Sequence, residues 1–214
     1  MTIVEAYEQY KIMPQLQLHQ LRVASVADVI CKGMIKPPES RPIITACLLH
    51  DMGNIIKFDL NAFPEFLQPE GLEYWQQVQN DYFAKYGMDE HLATKRIAQE
   101  LGVSSRVYEL IHSIGFDKTE ENFFLDDLGR KICEYSDDRV APQGVVTLLE
   151  RCDDLETRYG QKYPSEVDQQ RRQRFREFAI KIEEQIFALA KIHPEDITDV
   201  TINDKIDFLK SFQV

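Results

Sequence analysis

The stretch QLQLHQLRVASVADVICK, residues 15–32, decides the fold class. Its apolar residues do not alternate. They return at helical intervals, with Val23, Val26 and Ile30 at i+4, i+7 and i+11 from His19. That spacing lines one face of a 3.6-residue helix and places His19 on the apolar side of it. The same period extends outward over Ile43–Ile56, Glu70–Tyr86, Asp89–Leu101, Ser104–Ser113, Phe123–Tyr135, Gln143–Tyr159 and Val167–Ala190. Gly33, Gly102 and Gly160 stand at expected helix ends, Pro42 and Pro142 at expected first turns, and Ser104 as an N-cap. The one strand candidate, VTIND at Val200–Asp204, is short and isolated. The expectation is an all-α bundle. Residues 1–160 form its core, and residues 161–214 a helical extension packed on that core, with His193–Val214 supplying a last helix.

Composition narrows the function classes. The 214 residues are 43% hydrophobic and 29% charged, with 9 Gly and 9 Pro, an ordinary globular balance. Net charge is −11, so a polymeric nucleic acid is not an expected partner. The basic run RRQRFREF, Arg171–Phe178, sits in a long helical pattern among acidic residues and reads as a solvated face. No apolar run reaches the ~20 residues that span a bilayer. The opening MTIVEAYEQYKIMPQ has neither the basic start nor the apolar core of a signal peptide, so no membrane partner and a cytoplasmic location are expected. Cys31, Cys47, Cys133 and Cys152 form no Cys-x-x-Cys and lie among apolar neighbours, as buried free thiols do.

Chemistry must therefore come from the five histidines and their acidic neighbours. His50 follows Ile43 and Cys47, and Asp51 follows Ile44 and Leu48, by seven and three residues in each case. Both residues thus fall on or beside a buried helix side. A buried aspartate is costly unless it is paired or bound to a metal. Asn61–Pro69, with Phe63, Pro64, Phe66 and Pro69, is either a pocket cover or a packed connection.

Three phrases carry a resemblance: LQLHQLRVASVADVI, ITACLLHDMGNIIKF and KICEYSDDRVAP. Together they resemble the HD superfamily of metal-dependent phosphohydrolases, whose pattern is His…His-Asp…Asp on an all-α scaffold. The resemblance covers roughly residues 15 to 160. It implies His19, His50, Asp51 and Asp137 as metal ligands. Asp138 is the neighbouring alternative, and the Tyr-Ser-Asp-Asp-Arg-Val phrase selects Asp137. In subgroups with two metals, further histidines fall between the His-Asp pair and the last aspartate. His91 and His112 occupy that interval, whereas His193, before a proline, reads as structural.

The resemblance further implies one or two divalent ions (Fe, Mn, Zn, Co or Mg) and a small phosphorylated substrate, with a nucleotide foremost. Asp51, Lys57 and Arg139 are the candidate catalytic groups. The chain departs from the family at HDMGN, where Asn54 replaces a frequent lysine. Lys57 is the candidate substitute for that cation, and Arg22 and Arg139 are each a candidate phosphate clamp or a hydrogen-bond partner to the carboxylates. A Gly-Tyr-Pro after His-Asp is absent, which argues against cyclic dinucleotides. Two other readings stay open: a di-iron oxygenase resembling the myo-inositol oxygenase branch, and a non-catalytic HD-like binding module.

Overall fold

A computed structural model describes residues 1–62 and 64–214; Phe63, within the expected cover segment, lies outside the described residues. The fold is all-α, 67% helical, with one two-stranded sheet. In chain order the helices are α1 (Ile3–Gln9), α2 (Pro14–Gly33), α3 (Ser40–Leu49), α4 (Leu72–Tyr86), α5 (Glu90–Glu100), α6 (Ser105–Ile111), α7 (Thr119–Phe124), α8 (Leu128–Asp138), α9 (Leu148–Tyr159), α10 (Glu166–Phe187) and α11 (Asp199–Leu209). Short 3-10 turns cover Asn54–Lys57, Pro64–Leu67 and Pro194–Asp196. Among the described residues no helix is long and apolar enough to cross a membrane.

Helices α2 and α3 form the centre, and α8 packs on both. Helix α6 covers α3, α11 covers α2, and α10 lies across α7, α8 and α9. The core is the apolar stripe read from the sequence: Val23, Val26, Ile30, Ile43, Cys47 and Leu48 are buried, and all four cysteines are buried and free. The chain ends are tied together by Ile3 N to Phe212 O at 2.8 Å and Val214 N to Met1 O at 3.1 Å. VTIND lies in α11.

Three expected helices end or begin elsewhere. Ile43–Ile56 is not continuous, because α3 stops at Leu49 with His50 as its C-cap. The reason lies in Gly53. A Cβ there would stand 2.3 Å from Glu90 O and 2.8 Å from Thr94 N, so α5 rests directly on the glycine backbone. Gly53 N–H donates to Thr94 Oγ1 at 2.9 Å instead of continuing the helical ladder. Phe123–Tyr135 divides into α7 and α8, because Asp127 caps Arg130 N and receives both terminal nitrogens of Arg106, at 2.8 and 2.7 Å. Gln143–Tyr159 starts only at Leu148. Before it, Val140–Ala141 pairs with Gly144–Val145 as a hairpin, with Pro142 in its turn and Gly144 at φ +149°.

Arg139 corrects an expectation. It was a candidate phosphate clamp, but its side chain is 2% exposed and turns away from the cavity. Its guanidinium donates to Val146 O, to Tyr135 Oη at 2.6 Å, to Pro194 O at 3.2 Å and to Ile197 O at 3.0 Å. Carbonyls that leave the hairpin and enter α11 have no helical donor of their own, and the planar fork satisfies several at once. Arg139→Met is expected to cost roughly 3–5 kcal/mol of stability, since it strands these buried carbonyls. Urea unfolding checks the loss. A variant that lost catalysis at wild-type stability would return Arg139 to the chemistry.

Candidate metal centre

Side chains from three distant helices meet at one point. His19 projects from the first half of α2, His50 and Asp51 from the end of α3, and Asp137 from the last turn of α8. His19 Nε2 lies 3.0 Å from Asp137 Oδ1 and 3.8 Å from Asp51 Oδ2. His50 Nε2 lies 3.4 Å from Asp137 Oδ1 and 3.7 Å from Asp51 Oδ2. The ligand atoms of His19, His50 and Asp51 all fall within 4.8 Å of one another, and this group can hold a metal ion. Asp137, rather than Asp138, faces both imidazoles.

The donor set is steadied from behind. His50 Nδ1 lies 2.8 Å from Cys47 O and donates to it, which turns Nε2 toward the cluster. That Nε2 is buried and has no hydrogen-bond partner among the described residues, although Asp137 approaches it. Buried between two carboxylates, this nitrogen is one that a cation would satisfy in place of the proton the carboxylates favour there. Asn54 Nδ2 donates to Asp51 Oδ2 at 2.7 Å, and Gln20 Oε1 accepts from Asp51 N at 3.2 Å. Asn54 thus orients the Asp51 carboxylate.

Electrostatics agree with the geometry. Burial alone would depress His50, but Asp51 and Asp137 outweigh it and raise the imidazole to about 9. Burial likewise works to raise Asp137, and the His50 and His19 rings outweigh it, holding the carboxyl well below the usual range. Its neighbours on α8 go the other way. Burial, and then the charge of Asp138 on Glu134 and of Asp137 on Asp138, pushes these two carboxyls well above ordinary values.

The cluster forms part of the wall of a cavity of about 660 Å³. Arg22, Asn54, Lys57 and His91 line it, along with Phe58 and Phe66. The segment expected as cover or connection does both: Phe66 faces the cavity, while Leu67 is buried and its carbonyl accepts from Trp75 Nε1 at 3.1 Å. Lys57 is half exposed and 3.4 Å from Glu90. Burial opposes its charge, yet Asp51 and Glu90 together raise it above the ordinary lysine value.

Two expected ligands are not gathered. His91 is 61% exposed, with Nε2 3.6 Å from Glu90. His112 caps the end of α6 against the Tyr108 ring, 4.6 Å between centroids, and is not on the cavity lining. Burial, then the nearby Lys95, Lys118 and Arg130, lowers its pKa. Sequence reasoning missed the far wall. Arg151 and Arg158 on α9 and Arg171 and Arg172 on α10 line the same cavity. The solvated reading of RRQRFREF holds for Arg174 and Arg176, which pair outward with Glu120 and Asp153, but not for the two arginines that open it. The signal was the i, i+4, i+7, i+8 spacing of Arg151, Leu155, Arg158 and Tyr159. No protein-family model matches the chain, nor does any curated protein or solved structure.

A bound cation must displace the proton that the two carboxylates hold on His50 up to about pH 9. Affinity for Mn²⁺ is therefore expected to fall as pH is lowered from 9, by up to tenfold per unit per proton displaced. Calorimetric titration at pH 6.5, 7.5 and 8.5 checks this; a pH-independent affinity excludes His50 as a ligand.

Proposed function

We propose that this chain is a metal-dependent phosphohydrolase acting on a small phosphate ester of nucleotide size. One observation carries the reading: His19, His50, Asp51 and Asp137 converge beside Arg22 and Lys57 in one cavity of a strongly acidic protein. Two imidazole nitrogens with carboxylate oxygens suit iron, manganese, zinc or cobalt better than magnesium, which favours oxygen ligands throughout. When bound, a divalent ion supplies charge neutralisation at phosphoryl oxygens and an acidified water.

The chain's own residues do the rest. Arg22, one turn beyond His19, and Lys57 take the remaining phosphoryl oxygens as charge-assisted donors. Asn54 steadies the Asp51 oxygen that faces the imidazoles, and Asp51 accepts the proton of the attacking water. Asp138 lies off the cavity lining, so it is not placed to carry that proton. Phe58 and Phe66 limit water beside the reacting phosphate.

A single ion per chain is expected, because His91 and His112 stand apart from the cluster. That observation sets the oxygenase reading, which needs two irons, behind the hydrolase. Elemental analysis should find one equivalent in the wild type and well under a tenth of that in His50→Ala. Phosphate release from a panel of nucleoside and sugar phosphates should fall by roughly 10³-fold or more in Asp51→Asn, with helical content retained. Two irons with substrate-dependent O2 uptake would replace this reading, and a reconstituted protein that retains no metal would favour the binding module.

A further inference from the structure

The far wall of the cavity is more basic than a single phosphate beside the metal cluster requires. Arg151, Arg158 and Tyr159 fall at i, i+7 and i+8 of α9, and Asp168 and Arg171 at i and i+3 of α10, so one face of each helix meets the cavity. Part of this charge is structural. Arg172 pairs with Glu156, with Nε to Oε2 at 2.6 Å, and also donates to Tyr163 O at 3.0 Å, fastening α10 to the end of α9. Arg158 is bound to Asp154.

The rest is not absorbed. Arg151 must share Asp154 with Arg158, at 3.1 Å, so one carboxylate serves two guanidinium groups. The Nε of Arg151 is buried and has no partner among the described residues. A buried N–H left unpaired costs stability, and its persistence beside a cavity points to a ligand that satisfies it. Arg171 is exposed on the lining and makes no hydrogen bond or ion pair among the described residues. Of the acidic groups on the lining, Asp168 is engaged by Ser165 Oγ at 2.5 Å in the first turn of α10, while Asp117 belongs to the segment before α7.

We propose that this wall is a second anion subsite and that the substrate is a ring compound carrying two phosphates. One phosphate sits at the His-Asp cluster with Arg22 and Lys57; the other is held by Arg151 and Arg171. Several guanidinium donors match a phosphate dianion better than a carboxylate. Tyr159 and Tyr163, stacked with centroids 6.3 Å apart and planes at 28°, give the ring body an aromatic surface on the same lining. The cavity volume suits a ligand of this size. The role of the first phosphate rests on the phosphohydrolase reading. The subsite itself contains no candidate metal ligand.

The test is calorimetric titration of the full-length protein in EDTA with two probes, adenosine 5′-monophosphate and adenosine 3′,5′-bisphosphate. Wild type is expected to bind the bisphosphate roughly tenfold tighter. Arg171→Gln and Arg151→Gln should each shrink that ratio at least about threefold, and Arg171→Glu, at an exposed position that does not endanger folding, should abolish it. Arg174→Gln, on the outward face and bound to Glu120, should keep the wild-type ratio. Equal affinities in wild type, or a ratio unmoved by Arg171→Glu, overturn the subsite. No metal or turnover enters this measurement. Failure of the metal-loaded protein to hydrolyse any phosphate ester therefore overturns the reading of the cluster and leaves the ratio standing.

Discussion

Two imidazoles, each with a nitrogen 3.0 to 3.8 Å from two carboxylates, constrain everything around them. Such groups shed water only if something else satisfies them, and the fold supplies this from three helices at once. The Cys47 carbonyl orients the ring of His50, Asn54 fixes one oxygen of Asp51, and Gln20 holds the backbone that presents it. These supports require α3 to end at Leu49, so that His50 and Asp51 leave the helix along the cavity wall instead of entering the core. Gly53 makes that ending possible, because α5 rests on its backbone where any side chain would collide.

Much of this was legible in the sequence and some was not, for physical reasons. The apolar period of residues 15–32 placed His19 on a buried helix face, and the all-α architecture followed from the same period repeated along the chain. Asp137 was separable from Asp138 only by the phrase around it, and the structure turns the two side chains to different sides of α8. What the period could not show is where a helix yields to a tertiary contact. Thr94 on Gly53, Arg106 on Asp127 and Asp199 on Val145 each interrupt an apolar pattern that would otherwise continue. Arg139 was misread for a related reason. Two residues from an apparent ligand it had the position of a clamp, and only the carbonyls of Val146, Pro194 and Ile197, up to 58 residues away, show what it binds.

The charge of the chain is unevenly spent. With 36 acidic against 25 basic residues, a cavity open to solvent would by default repel a phosphate. Here Arg22 and Lys57 stand beside the His-Asp cluster, and four arginines of α9 and α10 stand on the far wall. Because α10 carries two of those four, residues 161–214 are part of the cavity as well as packing on the core.

Helix α8 shows how charge at the cluster is kept in proportion. It carries Glu134, Asp137 and Asp138 within five positions, a density that full ionisation in a buried setting would make very costly. Burial pushes both Glu134 and Asp138 above the ordinary carboxyl range, with Asp137 adding to each, while Thr119 Oγ1, donating to Glu134 at 2.6 Å, partly opposes the shift of Glu134. Asp137, facing the imidazoles, is driven the opposite way and stays ionised. Of the three, Asp137 is the one that approaches both imidazoles, so the helix presents one carboxylate to the cluster. Together with the Asp51 carboxylate, that charge matches one divalent cation. A second cation would find no comparable anionic partner there, which agrees with the separate placement of His91 and His112.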